Sequence, residues 1–155
     1  ETDRDYWRLM RTLLAYDADQ IMSVYATPHR WTPFFDASRH RRVIEGDLRK
    51  WDYKHQVLET PNVPAWRVFL WVKAIEIVLQ LRPRALWRVW AHPDPDMRHA
   101  MRWYTRMGRR VVLREVPDFI RSRRLRAGPT VAAFWGSEDR LPENAMARAP
   151  RIAAE

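Results

Sequence analysis

Apolar side chains recur at helical spacing several times along the chain, beginning with Tyr6, Leu9, Met10, Leu13 and Leu14, which mark one face of a helix from about Asp3 to Tyr16. Thr2, with Asp5 three residues on, resembles a capping box at its start. Turn residues Asp17 to Asp19 then precede Ile21-Met22-Ser23-Val24-Tyr25-Ala26, a compact β-favouring run with apolar neighbours on both faces. Such a run reads as a strand of a parallel sheet rather than of an exposed hairpin, so this stretch is expected to be half of a βαβ unit.

Thr27 to Phe35 follows as a loop, because two prolines forbid regular structure, and four large or ionisable side chains cluster in it. In barrels and open parallel sheets, ligands bind at loops leaving the strands' carboxyl ends, which makes this loop the best site candidate. The structural alternative is that Trp31, Phe34 and Phe35 plug the end of the sheet and His29 caps a turn.

A polar, arginine-rich stretch from Asp36 to Asp47 is compatible with helix until Gly46 breaks it, and Trp51 to Leu58 reads as extended, ending at Thr60-Pro61-Asn62. Pro64 suits the first position of a helix that continues to Leu81. Only Lys73, Glu76 and Gln80 form a polar stripe there; the rest of its circumference is apolar and needs neighbours on several sides. Without them it leaves a patch that seeks a partner or the remainder of a larger protein. Leu81-Arg82-Pro83-Arg84 breaks the helix and restarts a short one through Trp90. Asp94 then caps a basic amphipathic helix with Pro95 at its first position, and Pro117 is expected to end it. Residues 119–126 add a turn or two, and 128–155, rich in Ala, Pro and small polar residues without a period, read as a disordered tail.

Composition narrows the chemistry. The chain has 155 residues, a net charge of +9 and no cysteine, so it offers no disulfide, no cysteine-ligated zinc and no thiol nucleophile. Its longest apolar run, Val68 to Leu81, is interrupted by Lys73 and Glu76 and is too short for a bilayer span, so a soluble, cytoplasmic protein is expected. Residues 82–126 hold 13 arginines against four acids, which accounts for the whole surplus of charge. Such a block suits phosphate, an anionic membrane surface or a carboxylate ligand. Codon bias gives the same arginine excess, and solvation or contact with other domains gives the same exposed face. There is no glycine-rich phosphate loop, no nucleophile elbow and no metal-binding histidine pair, and the carboxylates are dispersed. No residue is singled out as catalytic or metal-ligating. On composition and periodicity alone the chain is a basic α/β fragment with a helical extension, beginning Glu-Thr-Asp rather than with Met.

A resemblance covers about residues 1 to 120. Glu1-Thr2-Asp3-Arg4-Asp5, the helix, the Asp17-Ala18-Asp19-Gln20 turn, the strand and Thr27-Pro28 resemble the last βα part of the barrel in cobalamin-dependent radical S-adenosylmethionine enzymes. There a Gly-x-x-Glu-Thr turn leads the helix, and Glu1 and Thr2 match its end. Lys50 to Leu58 and the Leu81-Arg82-Pro83-Arg84 break are similar to the region after the barrel. More narrowly, Tyr25 to Phe34 and Arg102 to Arg110 resemble the members that close the isocyclic ring of bacteriochlorophyll without oxygen.

The resemblance implies an α/β class: the C-terminal part of a partial TIM-like radical-SAM barrel over 1–60, a mainly α-helical extension over 61–127, then the tail. It implies an oxidoreductase acting on magnesium-protoporphyrin IX monomethyl ester, with S-adenosylmethionine, a [4Fe–4S] cluster and cobalamin as cofactors. A 5′-deoxyadenosyl radical abstracts hydrogen from the methylpropionate side chain, and the added oxygen comes from water. The three cluster cysteines belong at the barrel's start and are absent here, so the chain is expected to be a C-terminal piece, inactive by itself and holding none of these cofactors alone. Its partners are then the N-terminal cobalamin-binding and radical portions. On this reading Tyr25 and Thr27 help to wall the S-adenosylmethionine pocket, while His29, Arg30 and Trp31 face the tetrapyrrole, aromatic rings stacking on the macrocycle and arginine pairing with its free propionate. The alternative for Arg30 is a tie to a carboxylate such as Asp36. Two other readings address the basic helix: a nucleic-acid-binding module, which is not expected, and peripheral contact with an anionic membrane near Trp87, Trp90 and Trp103.

Overall fold

Helix α1 spans Asp3–Tyr16 and starts as its sequence dictates: the backbone N–H and hydroxyl of Thr2 both donate to the Asp5 carboxylate, at 2.8 and 2.9 Å. It ends at Asp17, whose φ of 49° is left-handed. The computed structural model describes residues 1–122 and 124–136; it continues with α2 (Pro33–Ser38), a 3-10 turn (Leu48–Lys50), α3 (Ala65–Leu81), α4 (Pro83–Ala91), α5 (Pro95–Arg121) and α6 (Val131–Trp135). Pro64 is the cap of α3 rather than its first residue, and Asp94 caps α5 by accepting from the Asp96 and Met97 N–H groups.

Two apolar clusters hold these elements. In the first, Tyr6 and Met10 of α1 meet Val68, Ile75 and Leu79 of α3, with Val63 beneath. Tyr6 stacks on Trp71 at 6.0 Å, and the Trp71 indole donates to Asp3 at 2.6 Å. The second packs Phe35, Val43, Trp51, Val57, Leu58 and Val131. Here residues 41–45 take backbone hydrogen bonds on both sides: Ile44 donates to Val57 and Val43 to Pro129, each at 2.9 Å. Isolated antiparallel bridges pair Val43 with Leu58 and Arg42 with Thr130.

Three expectations are corrected. The run Ile21 to Ala26 forms no strand, and no β-ladder occurs among the described residues, so they are mainly helical and show no barrel. Its burial nevertheless alternates: Ile21, Ser23 and Tyr25 are half-buried while Met22 and Val24 are 65% and 59% exposed. That is strand periodicity on a segment without neighbouring strands, since a parallel strand needs partners that nothing among the described residues provides. Second, α5 runs through Pro117 to Arg121. Pro117 removes one helical donor, but Phe119 beyond it stacks on Phe69 of α3 at 4.0 Å and the Arg124 guanidinium lies 4.1 Å from the Phe119 ring centroid. Third, 128–136 is not a tail. Val131 is fully buried, Phe134 stacks on Trp51 at 5.2 Å, and Gly128 lies so close to residue 43 that a β-carbon would sit 1.8 Å from the Val43 carbonyl oxygen. Residues 137–155 lie outside the described part.

The apolar face expected of α3 is there: Trp66, Leu70, Ile77 and Leu81 are exposed. No described helix is long and apolar enough to cross a membrane.

Candidate functional site

The loop singled out from the sequence is built by its own backbone. Thr27 is buried, its hydroxyl donates to the Tyr25 carbonyl at 3.3 Å, and its carbonyl accepts from the His29 N–H at 3.0 Å. The His29 carbonyl in turn accepts from the N–H and hydroxyl of Thr32, at 2.9 and 2.7 Å, and sets up the start of α2. Phe35 enters the second core with Phe34 packed against it, so these two are structural as the alternative reading holds, but Trp31 is not a plug: it is 78% exposed.

His29 and Trp31 instead stack face to face, with centroids 4.6 Å apart and planes 13° from parallel. Tyr53 also contacts the imidazole, its ring centroid 5.0 Å away and tilted by 60°, and its backbone takes a left-handed φ of 65°. The His29 Nε2 is buried and has no hydrogen-bond partner among the described residues. Arg30 does not tie to Asp36, which pairs with Arg39 at 3.3 Å. Its guanidinium lies over the Trp135 ring at 5.3 Å, next to Trp51 and Phe134. The loop therefore rests on an aromatic bed drawn from α6 and the segment around Trp51, and it shows solvent a broad tryptophan face.

Tyr25 faces a different environment. Its N–H donates to the Tyr53 carbonyl at 2.8 Å, which links the two loops. Its side chain lines a small cavity of about 30 Å³ with Glu45, Glu115, Phe119 and Arg124. Burial, reinforced by the charges of Glu115 and Glu76 and opposed by that of Arg124, pushes the phenol well above its ordinary range. Alongside, Lys73 donates to Glu76 at 2.6 Å and to Glu115, all three side chains being at most 16% exposed. Burial alone depresses the Lys73 ammonium, but its hydrogen bonds to Glu115 and Glu76 outweigh this and hold the pKa above its ordinary value. Burial lowers Arg124, against the charges of Tyr25 and Glu45. A larger, mostly apolar cavity of about 290 Å³ opens between residues 18–22, α3 and α5, lined among others by Met22, Met101, Met107, Trp103 and Tyr104.

The structure thus brings His29 and Trp31 together, puts Arg30 on a neighbouring aromatic cluster, and separates Tyr25 from both. Sequence reasoning missed Tyr53 and Trp135, which complete the aromatic bed from distant segments. The signal was present in the density of aromatics at 51–53 and 134–135. The charged cluster under Tyr25 was visible only as the polar stripe Lys73 and Glu76; Glu115 joins it from another helix.

The chain has no cysteine, and among the described residues no three His, Asp or Glu side chains converge to hold a metal. These residues do not fit a thiolate-held iron–sulfur cluster.

Comparison with known proteins agrees with the resemblance read from the residues. Over 135 residues, 86% of its length, the chain is 54% identical to the anaerobic magnesium-protoporphyrin IX monomethyl ester cyclase of Synechocystis sp. (strain ATCC 27184 / PCC 6803 / Kazusa), and it spans 27% of that protein's length. Identity of this degree over this span marks the chain as homologous to a section of that cyclase. No family model matches the chain, and no solved structure matches it.

Proposed function

We propose that the chain is the C-terminal section of an oxygen-independent cyclase that forms the isocyclic ring from magnesium-protoporphyrin IX monomethyl ester, and that it works only within the whole enzyme. The single observation that carries this is the 54% identity along 86% of the chain. The reading places Ile21 to Ala26 as a strand of the radical-SAM barrel, paired by segments outside this sequence; the alternation of burial along it supports that assignment. Cobalamin, S-adenosylmethionine and the [4Fe–4S] cluster belong to the whole enzyme and supply its radical chemistry, with the cluster ligands lying elsewhere, since this chain has no cysteine.

The contribution of this chain's own residues is binding and exclusion of water. The outer face of Trp31, backed by His29 and Tyr53, offers a flat surface for a tetrapyrrole, which gains from stacking on an aromatic plane already held in place. Arg30, held against Trp135, stands beside that plane to meet a propionate, and Tyr25 and Thr27 set the start of the loop next to the S-adenosylmethionine pocket. Keeping water from this face protects a radical intermediate.

A chimaera tests the assignment: the homologous section of the Synechocystis cyclase is replaced by this chain. Ring formation from the monomethyl ester is expected to persist, and a chimaera that binds S-adenosylmethionine normally yet forms no ring overturns the reading. Within such an enzyme, Trp31→Ala is expected to weaken porphyrin binding by about 1.4 kcal/mol, roughly tenfold in Kd, measured by absorbance titration. Unchanged affinity in both Trp31→Ala and Arg30→Ala takes the loop out of the substrate site.

A further inference from the structure

Helix α4 leaves much of its apolar surface uncovered. Arg88, 19% exposed, pairs with Asp17 at 3.0 Å and Asp19 at 2.9 Å, and Arg84 reaches the Asp17 carboxylate at 3.1 Å from a position that stays exposed. Val89 is buried, but Trp90 is 67% exposed and Leu86 and Trp87 are exposed beside it on the adjacent turn. The adjoining helix carries the surface onward. Arg102 of α5 donates to the Val89 carbonyl at 3.1 Å and lies over the Trp90 ring at 5.4 Å, which sets the outer face of α5 next to those tryptophans.

From Arg102 that face continues at helical spacing through Arg106 and Arg109 and then Leu113 and Ile120, the last two 73% and 75% exposed. No described carboxylate pairs with Arg106, Arg109, Arg110 or Arg114, although ion pairs are frequent elsewhere on the surface.

We propose that this α4–α5 face docks on an anionic lipid bilayer, with Trp87, Trp90, Leu113 and Ile120 entering the headgroup boundary and the unpaired arginines engaging lipid phosphates. Charge complementarity argues for an anionic occupant, since the entire +9 surplus lies in residues 82–126. Apolar side chains interleaved with the arginines decide which one. A nucleic-acid backbone supplies phosphate but gives Leu113 and Ile120 nothing to bury against, whereas the bilayer interface satisfies both kinds of group, and tryptophan favours that depth. The proposal does not depend on the cyclase reading.

The test is cosedimentation of the intact polypeptide carrying this section with vesicles of phosphatidylcholine alone, or mixed with phosphatidylglycerol, at low and moderate salt. The parent is expected to bind the phosphatidylglycerol vesicles at least about tenfold more tightly than the neutral ones, and more weakly as salt rises. Trp87→Ala with Trp90→Ala, and separately Arg106→Gln with Arg109→Gln, are each expected to lower that affinity about tenfold, because binding scales with both buried apolar area and charge. Circular dichroism confirms that the variants remain folded, and a single Leu113→Ser variant, on an exposed position, is expected to weaken binding if the pairs do not fold. Failure of the parent to bind, equal binding by all variants, or tighter binding to duplex DNA than to phosphatidylglycerol vesicles overturns the proposal.

Discussion

At the scale of single residues, the buried charges beneath Tyr25 are the most sensitive part of the chain. Removing the ammonium with Lys73→Met leaves Glu76 and Glu115 facing each other without a counter-charge, at an expected cost of about 3 kcal/mol or more, read from urea unfolding of the chain. Adding Glu76→Gln and Glu115→Gln is expected to restore a good part of that loss, because neutral partners need no counter-ion; a triple variant as unstable as the single one contradicts this account. The pH dependence has a definite sign. Tyr25 and Lys73 both hold their protons more firmly folded than unfolded, so the stability they contribute is complete below their ordinary values of 10.0 and 10.5 and is lost as pH rises past them. Tyr25→Phe is expected to flatten the alkaline part of the unfolding profile while leaving the midpoint at neutral pH nearly unchanged. Gly128→Ala is the other severe change at this scale: the Val43 carbonyl leaves no room for a methyl group, and a loss of about 2–3 kcal/mol is expected, against the gain that alanine gives at an unobstructed site.

Among the elements, those with local signals were the ones legible in the sequence. The boundaries of α1 and the start of α5 follow from Thr2, Asp5, Asp94 and Pro95, residues that satisfy or replace backbone donors at their own helix ends. Where a distant contact decides, the pattern misleads. Pro117 is a reliable local stop signal that loses to the Phe119–Phe69 stack, and the small-residue composition after Gly128 hides a helix whose Val131 packs into the same core as Val43 and Val57. The loop from Thr27 to Phe35 was legible as a place where aromatic and charged groups gather. That Tyr53 and Trp135 back it was not, since neither has a sequence relation to it. Asp17 ties α4 to the end of α1 by collecting Arg82, Arg84 and Arg88, alongside the packing of Val89. Asp17→Asn is expected to speed amide exchange along 83–91 with little change in α1, and unaltered exchange there shows that packing of Val89 alone holds α4 in place.

For the molecule as a whole, the separate features agree on one point: surface is prepared that the described residues do not cover. Apolar residues stand exposed along α3, the strand-patterned segment has Met22 and Val24 in the open, and among the described residues its one backbone hydrogen bond to another segment runs from Tyr25 to Tyr53. On the proposed reading, in which the chain is a section of a longer cyclase, the rest of that protein supplies the neighbours. The most direct measurement is amide hydrogen exchange at residues 21–26, in this chain alone and in the intact polypeptide that carries it. The account predicts rapid exchange at Met22 and Val24 in the isolated chain and protection of at least about a hundredfold in the intact protein, equivalent to some 2.7 kcal/mol of added local stability, as ladder hydrogen bonds form on both edges. Equally rapid exchange in the two contexts contradicts it.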